Sequence, residues 1–381
     1  MLHVVGARPN FMKAAPVWRA LAVRGVPQTL VHTGRHYDRA LSDVFFTELD
    51  LPAPDLSLGV GSGSHAAQTA AVMIGMEQAL DALAPRLVVV YGDVNSTLAA
   101  TLVATKLGVP VAHVEAGLRS FDRTMPEELN RLVVDALADV LLVTSPEALV
   151  HLGAEGIAAA RTHLVGNPMI DSLLRMLPGT DPAGVRARLG VPGEVAVATL
   201  HRPANVDDTA AARAMVGALR AVAGQVPVVL PLHPRGRASL VRAGLDEVAD
   251  LFVVEPLGYL EFVGLIQGAR LVVTDSGGVQ EETTVLGVPC LTLRPNTERP
   301  ITITAGTNRL VTPETLGDAV RQVLADPPTT GAGPPLWDGR AGERIAAVLQ
   351  AFLGATSPEF APSPALAPSP ALATSPALAP R

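Results

Sequence analysis

Seven short polar segments hold nearly all the residues of this sequence that could do chemistry: Gly6–Lys13 (GARPNFMK), Gly34–Asp38 (GRHYD), Gly92–Ser96 (GDVNS), Glu115–Arg119 (EAGLR), His201–Asn205 (HRPAN), His233–Arg235 (HPR) and Asp275–Glu282 (DSGGVQEE). One chemistry they suggest is anion binding. Ser276, Gly277 and Gly278 are small residues ahead of a helical pattern, where backbone N–H groups and the positive end of a helix dipole would hold a phosphate. An ordinary glycine turn, with Glu281 and Glu282 complementing the dipole, would read the same way in isolation. Gly6-Ala7-Arg8 is a similar turn but not GxGxxG, which argues against a dinucleotide cofactor. Arg8 and Lys13 place cations at a helix start, where positive charge is mildly unfavourable without some reason to be there. The other chemistry is proton transfer. Asp93 could move a proton or simply cap the next helix. Glu115 ends an apolar run, a poor place for a purely structural carboxylate. Pro126-Glu127-Glu128 reads by itself as a helix start with acids in the first turn. His201 beside Arg202 points weakly to proton transfer or phosphate binding. No HExxH or comparable spacing suggests a metal.

Short apolar, β-branched runs precede these segments, and helical patterns follow. The alternation predicts buried parallel strands with crossover helices. The runs are 2–5, 29–33, 87–91, 109–114 and 139–144 in the first half, then 195–200, 226–232, 251–255, 270–274 and 288–293. Two such sets predict an α/β chain of two Rossmann-like, doubly wound domains facing a cleft. In open parallel sheets, ligands sit beyond the carboxyl ends of the strands, which is where the seven segments fall. Their convergence, rather than any one motif, carries the functional expectation. His163–Pro168 (HLVGNP), the helical stretch after it and Pro-Gly-Thr-Asp-Pro read as the hinge region. The first domain is therefore placed at 1–168. The second is placed at 169–354, closed by an apolar helical pattern over Glu343–Leu353.

At 381 residues the chain exceeds the roughly 250–300 at which single cores stop growing. Hydrophobic residues at 48%, charged residues at 17% and aromatics at 3% exclude a disordered chain and argue against a coiled coil or a base-stacking nucleic-acid platform. A net charge of −7 also argues against nucleic acid, so an anionic ligand would depend on local arginines and helix N-termini. The one cysteine, Cys290, excludes an intrachain disulfide framework and reads as a small buried hydrophobe. No apolar stretch suits a signal peptide or membrane span, so a cytoplasmic protein is expected. Of 29 basic residues only Lys13 and Lys106 are lysines, which draws attention to Lys13 as a place where a compact ammonium is wanted. From Ser363 the chain repeats Ser-Pro-Ala-Leu-Ala-Pro/Thr, so 355–381 is expected to be a disordered, extended tail outside both lobes.

Taken together, Gly6–Lys13, His32–Asp38, Gly92–Thr97, His113–Arg119, Met125–Arg131, Thr199–Arg202, Thr274–Glu282 and Thr297–Pro300 resemble the non-hydrolysing UDP-N-acetylglucosamine 2-epimerases, in order over roughly residues 1–350. The hydrolysing relatives carry a different first loop. The resemblance implies a glycosyltransferase-B-like fold, usually a homodimer, and reversible C2 epimerisation of UDP-N-acetylglucosamine to UDP-N-acetylmannosamine, supplying activated sugar for surface polysaccharide. It implies no redox cofactor and no metal. UDP leaves anti from C1 as the C2 proton is removed, giving 2-acetamidoglucal, and UDP adds back as C2 is reprotonated on its other face. Because a sugar C2–H is a very weak acid, a carboxylate must act in concert with departure of a diphosphate stabilised by cations and N–H dipoles. By resemblance, Asp93, Glu115 and Glu127 are the acid/base carboxylates, which overrides the plain reading of Glu127, and His201 assists. Arg8, Lys13, Arg119, Arg202, Ser276, Gly277, Gly278 and Arg299 correspond to substrate contacts, Glu282 to the ribose hydroxyls and Phe262 to an aromatic against the base.

The sequence also departs from the family pattern. His201–Asn205 lacks the second arginine and the glutamate of the common HRREN, and Leu257 replaces a different residue near the uracil. Arg35 stands where glutamine is usual, in a region that helps form the family's allosteric site, which puts activation by substrate in question. Two other readings share the fold. One is the same mechanism on a modified UDP-sugar such as a 2,3-diacetamido uronic acid. The other is a UDP-sugar glycosyltransferase, which leaves Asp93, Glu115 and the Pro-Glu-Glu turn unexplained.

Overall fold

The computed structural model describes residues 1–34, 48–191, 193–202, 205, 208–232, 234–328 and 331–355, without the side chains of residues 8, 234 and 235. Arg35 and its loop, Pro203-Ala204, His233 and the repeat tail from 356 onward lie outside the described residues. In the first half, β1 (Leu2–Val5), β2 (Thr29–Gly34), β3 (Leu56–Val60), β4 (Val88–Tyr91), β5 (Val111–Ala116), β6 (Val140–Val143) and β7 (Thr162–Leu164) form one parallel sheet in the order β3-β2-β1-β4-β5-β6-β7. The helices of this half are α1 (Arg8–Val23), α2 (His65–Leu83), α3 (Asn95–Lys106), α4 (Pro126–Leu137) and α5 (Pro146–Ala154). Next come α6 (Pro168–Met176) and α7 (Pro182–Leu189). The second sheet contains β8 (Val195–Thr199), β9 (Val228–Pro231), β10 (Leu251–Val254), β11 (Ala269–Thr274), β12 (Cys290–Leu293) and β13 (Asn308–Val311), in the order β10-β9-β8-β11-β12-β13. Its helices are α8 (Thr209–Ala223), α9 (Pro234–Arg242), α10 (Tyr259–Gln267), α11 (Gly277–Leu286), α12 (Ile301–Thr304) and α13 (Pro313–Ala325), and α14 (Ala341–Ala355) ends the described chain.

The central strands are buried along their whole length because helices cover both faces, which explains why they read as unbroken apolar runs. Side chains alternate between the faces with period two. Val88 and Val90 enter the core shared with α2 and α3, whereas Val89 and Tyr91 enter the core shared with α1. Strand order reverses between β1 and β4 and again between β8 and β11, and ligand crevices open at such points. The segments after those four strands hold Lys13, Asp93, His201 and Ser276–Gly278.

Three strands escape the sequence reading: β3 and β13, which are sheet edges, and the three-residue β7. Edge strands need neither a continuous apolar run nor full burial, and the Leu-Ser-Leu-Gly-Val of β3 has neither. Glu115 is also placed differently. It lies inside β5, not just beyond it, with φ +74°, and the register against β6 shifts between Val114 and Ala116. This local irregularity re-aims the carboxylate, at a strain cost on the order of 1 kcal/mol.

The closing helix, expected with the second domain, lies instead against the first. Ile345, Ala346 and Leu349 of α14 join the core containing Phe11, Met12, Val17 and Leu21 of α1. Asp171 of α6 fixes its start by accepting from Ala341 N–H at 3.1 Å and Gly342 N–H at 2.7 Å. The apolar periodicity of this helix identified it as amphipathic; its partner was set by chain reversal, which periodicity does not encode. Among the described residues no helix is long and apolar enough to cross a membrane, and no cluster of His, Cys, Asp and Glu could hold a metal ion.

Candidate active site

Lys13, Glu115 and Arg299 meet at the junction of the two sheets. Asn10, one turn earlier on α1, accepts from the N–H groups of Gly6 and Ala7 and donates to the Tyr91 carbonyl, tying the start of α1 to the end of β4. This brings the Lys13 ammonium, which is 4% exposed, into an ion pair with Glu115 Oε2. Arg299 arrives from the second half and donates from Nη2 to Glu115 Oε1 at 3.0 Å. Its Nη1 pairs with Glu298, while its Nε lies 2.8 Å from Glu281 Oε1 in a contact poorly aligned for a hydrogen bond. Burial by itself would push the Glu115 acid up. The charges of Lys13 and Arg299, the Lys13 hydrogen bond and the charge of His113 outweigh it, leaving Glu115 below the ordinary carboxylate range and therefore ionised. Gly92, at φ +65°, allows this approach: a Cβ there would stand 2.9 Å from Lys13 Nζ and 3.1 Å from Glu115 Oε2.

Asp93 follows Gly92 and is anchored from α4. Asn130 donates to its carbonyl at 2.8 Å, and Arg131 Nη1 donates to Oδ2 at 2.5 Å. Burial pushes the Asp93 acid up, opposed by Arg131 and assisted by the charge of Glu115, a shift opposite in direction to that of Glu115. The two acids of the Pro-Glu-Glu turn do different work. Glu128 is buried and accepts from Ser120 N–H, Ser120 Oγ, Phe121 N–H and Arg131, organising the loop after β5. Glu127 is only half-buried, and its charge acts on Arg202 of the second half. The spacing of these residues in the sequence cannot distinguish them; the direction in which α4 presents them does.

In the second half, His201 exposes its ring at the mouth of the site, with Nδ1 2.7 Å from Asp275 Oδ1. Asp275, fully buried at the end of β11, also accepts from the N–H groups of His201 and Arg202 and from Asn205 Nδ2. Burial raises the Asp275 acid, but those contacts outweigh it and hold the group ionised. Arg202 donates from Nε to the Asp275 carbonyl at 3.0 Å. Ser276 stands at the N-cap position of α11 without a side-chain cap bond, and the first-turn N–H groups of Gly277 and Gly278 have no intrahelical acceptor. A Cβ on Gly277 would lie 2.5 Å from Arg299 Nη1, so only glycine brings these amides beside that guanidinium. One turn further along, Tyr259 OH donates to Glu282 Oε1 at 2.9 Å. Burial pushes the Glu282 acid up to about 7, with Tyr259 opposing and Glu281 adding to the rise. Phe262 is half-buried on α10 against the core that includes Val195, Leu265 and Leu257. Arg8 opens α1.

Arg119 departs from expectation. Assigned to substrate by its place in the EAGLR segment, it is 1% exposed and engaged elsewhere. Nε and Nη2 donate to Glu155 at 2.7 Å, and Nη1 reaches both the Leu118 carbonyl and Asp135. Four of its five N–H donors are engaged in this way, and burial closes the guanidinium to a ligand. Conversely, Arg131, Asp275 and Tyr259 contact Asp93, His201 and Glu282 without having been singled out. Asp275 carried a signal, since it directly ends a strand of the second sheet. Arg131 and Tyr259 lie on helix faces whose orientation the sequence leaves open.

Comparison with known proteins gives a consistent picture. A family model described as UDP-N-acetylglucosamine 2-epimerase matches residues 19–350. The UDP-2,3-diacetamido-2,3-dideoxy-D-glucuronate 2-epimerase of Pseudomonas aeruginosa is 40% identical over 361 residues, covering 92% of this chain and 99% of that protein. The UDP-N-acetylglucosamine 2-epimerase of Methanocaldococcus jannaschii is 39% identical over 358 residues, covering 91% and 97%. A crystal structure of the M. jannaschii enzyme in complex with UDP-GlcNAc and UDP superposes with a TM-score of 0.84 at 39% identity, covering 92% of this chain and 99% of that one.

Proposed function

Because this chain belongs to the UDP-N-acetylglucosamine 2-epimerase family, we propose that it interconverts UDP-N-acetylglucosamine and UDP-N-acetylmannosamine by anti elimination of UDP and its re-addition. The observation that carries the reading is the convergence of Lys13, Glu115 and Arg299 beside Asp93 and the open N-terminus of α11. The diphosphate would occupy the α11 amides and draw on the Lys13 and Arg299 cations, which stabilise the charge that develops as the C1–O bond breaks. Glu115, ionised and strained, is suited to remove the C2 proton. Asp93, whose acid burial pushes up, is suited to return one, following the rule that environments which shift two acids in opposite directions divide their roles. Glu127 completes the carboxylate set from the rim, and the Asp275-oriented His201 acts beside the phosphates. Glu282 would accept from the ribose hydroxyls, and Phe262 would face the base.

A second substrate is favoured by one specific observation, the 40% identity to the P. aeruginosa diacetamido-glucuronate epimerase. Incubation in D2O with each UDP-sugar in turn, followed by NMR at C2, decides between them. The proposal expects deuterium incorporation and epimerisation with UDP-N-acetylglucosamine. Turnover only of the uronate would transfer the mechanism to that sugar, and turnover only on addition of an acceptor, without exchange, would refute it. We further infer a cytoplasmic homodimer. Exposed Ile74 on α2, Leu107 just after α3, and Leu129 and Val133 on α4 support the association, which sedimentation would test.

A further inference from the structure

His113 is fully buried on β5, two residues before Glu115. Its Nδ1 lies 2.6 Å from Asp135 Oδ1 on α4 and its Nε2 2.8 Å from the Gly92 carbonyl oxygen. Neither partner offers a proton. A backbone carbonyl only accepts, and Asp135 is held ionised by the Gly117 N–H at 3.0 Å and Arg119 Nη1 at 2.7 Å. A neutral imidazole has one N–H and one lone pair, so either tautomer would set a lone pair against an oxygen in a dry interior. The doubly protonated ring satisfies both contacts.

We propose that His113 is a positioning residue of the reaction: an imidazolium that donates to both Asp135 and the Gly92 carbonyl, ties them together and lends positive charge to Glu115. The Gly92 turn packs on the Lys13–Glu115 pair and leads directly into Asp93, so fixing its carbonyl fixes the relation between the two carboxylates. Glu115 is faced by Lys13 from α1, Asp93 from the turn after β4, Arg299 and Glu281 from the second half, and His113 from its own strand. Of these, only His113 joins the Gly92 carbonyl to Asp135 of α4 through a single side chain. The sequence flags it only as the first residue of the HVEAGLR segment.

Neutron diffraction from crystals of the deuterated wild-type protein at pH 7.5 tests the protonation directly and needs no turnover, so it stands apart from the functional reading. Deuterons are expected on both Nδ1 and Nε2, and a single deuteron overturns the inference. The kinetic arm rests on the epimerase reading. His113→Gln keeps one donor but no charge. The acid limb of kcat/KM for UDP-N-acetylglucosamine should rise by about one pH unit. kcat should fall roughly tenfold to a hundredfold with KM within about threefold. An unmoved acid limb, with activity lost in proportion to folded protein, would reduce His113 to a structural residue. Should that variant not fold, Asp135→Asn, which removes the counter-charge that holds the second proton, is expected to produce the same displacement of the limb, and its failure to do so overturns the proposal.

Discussion

Glu282 links substrate affinity to pH in a way that can be worked out. It is 4% exposed, with its acid pushed by burial to about 7 from an ordinary 4.5. The difference of about 2.5 units corresponds to ~3 kcal/mol. In the unfolded chain the group loses its proton near 4.5, whereas the folded protein retains it to about 7. As pH rises through that window the folded state binds the extra proton, so the stability attributable to Glu282 falls, and above 7 the whole ~3 kcal/mol is lost. Accepting hydrogen bonds from two ribose hydroxyls with both oxygens favours the ionised form, because protonation turns one oxygen into a donor. UDP-N-acetylglucosamine, whose pyrophosphate does not titrate here, should therefore bind roughly tenfold more weakly at pH 6 than at pH 8, and about a hundredfold more weakly at pH 5. Isothermal titration calorimetry in a Glu115→Gln background prevents turnover and removes that titration as well. Adding Glu282→Gln should weaken binding at pH 8, abolish its pH dependence and raise the unfolding free energy at pH 8 by up to ~3 kcal/mol. Tyr259→Phe removes a bond that favours the anion and should move the affinity loss to higher pH. A flat affinity profile with Glu282 present, or a slope that survives the Glu282→Gln substitution, would refute the reasoning.

Glu115→Gln alone should lower turnover by roughly 10²- to 10⁴-fold while leaving UDP affinity within about threefold; near-normal turnover would remove Glu115 from the proton path. Arg119→Ala should destabilise by about 3 kcal/mol in denaturant titration, because it takes one of two cations from the buried Asp135, with KM unchanged in the folded fraction; a raised KM at wild-type stability would return Arg119 to the substrate site. Burial pushes Asp171 up to about 6 from 3.8, so its contribution to stability should decline as pH rises between those values. Asp171→Asn should flatten that part of the stability profile, and an unchanged slope would mean that the cap on α14 does not titrate there.

The architecture was legible because buried parallel strands leave an unmistakable mark: Val88–Tyr91 and Val140–Val143 must be apolar on both faces, and polar groups can appear only where each strand ends. That rule located Asp93, His201 and Ser276–Gly278 without any knowledge of three dimensions. It failed at the margins. Strands β3 and β13 are edges and carry little of the signal, and Glu115 lies within a strand because a local irregularity re-aims it.

What the sequence by itself determined is the set of chemical groups and the strand ends that deliver them, since both follow from local composition and period. Tertiary structure alone decided which charges meet. Lys13, Glu115 and Arg299 are separated by 102 and 184 residues along the chain, yet form one buried cluster. Arg119 and Arg131 lie twelve positions apart in similar surroundings, and one is spent on Glu155 and Asp135 while the other holds Asp93. Ion pairing depends on distance and desolvation across elements brought together by folding, and neither is written in the spacing of residues along a strand or helix.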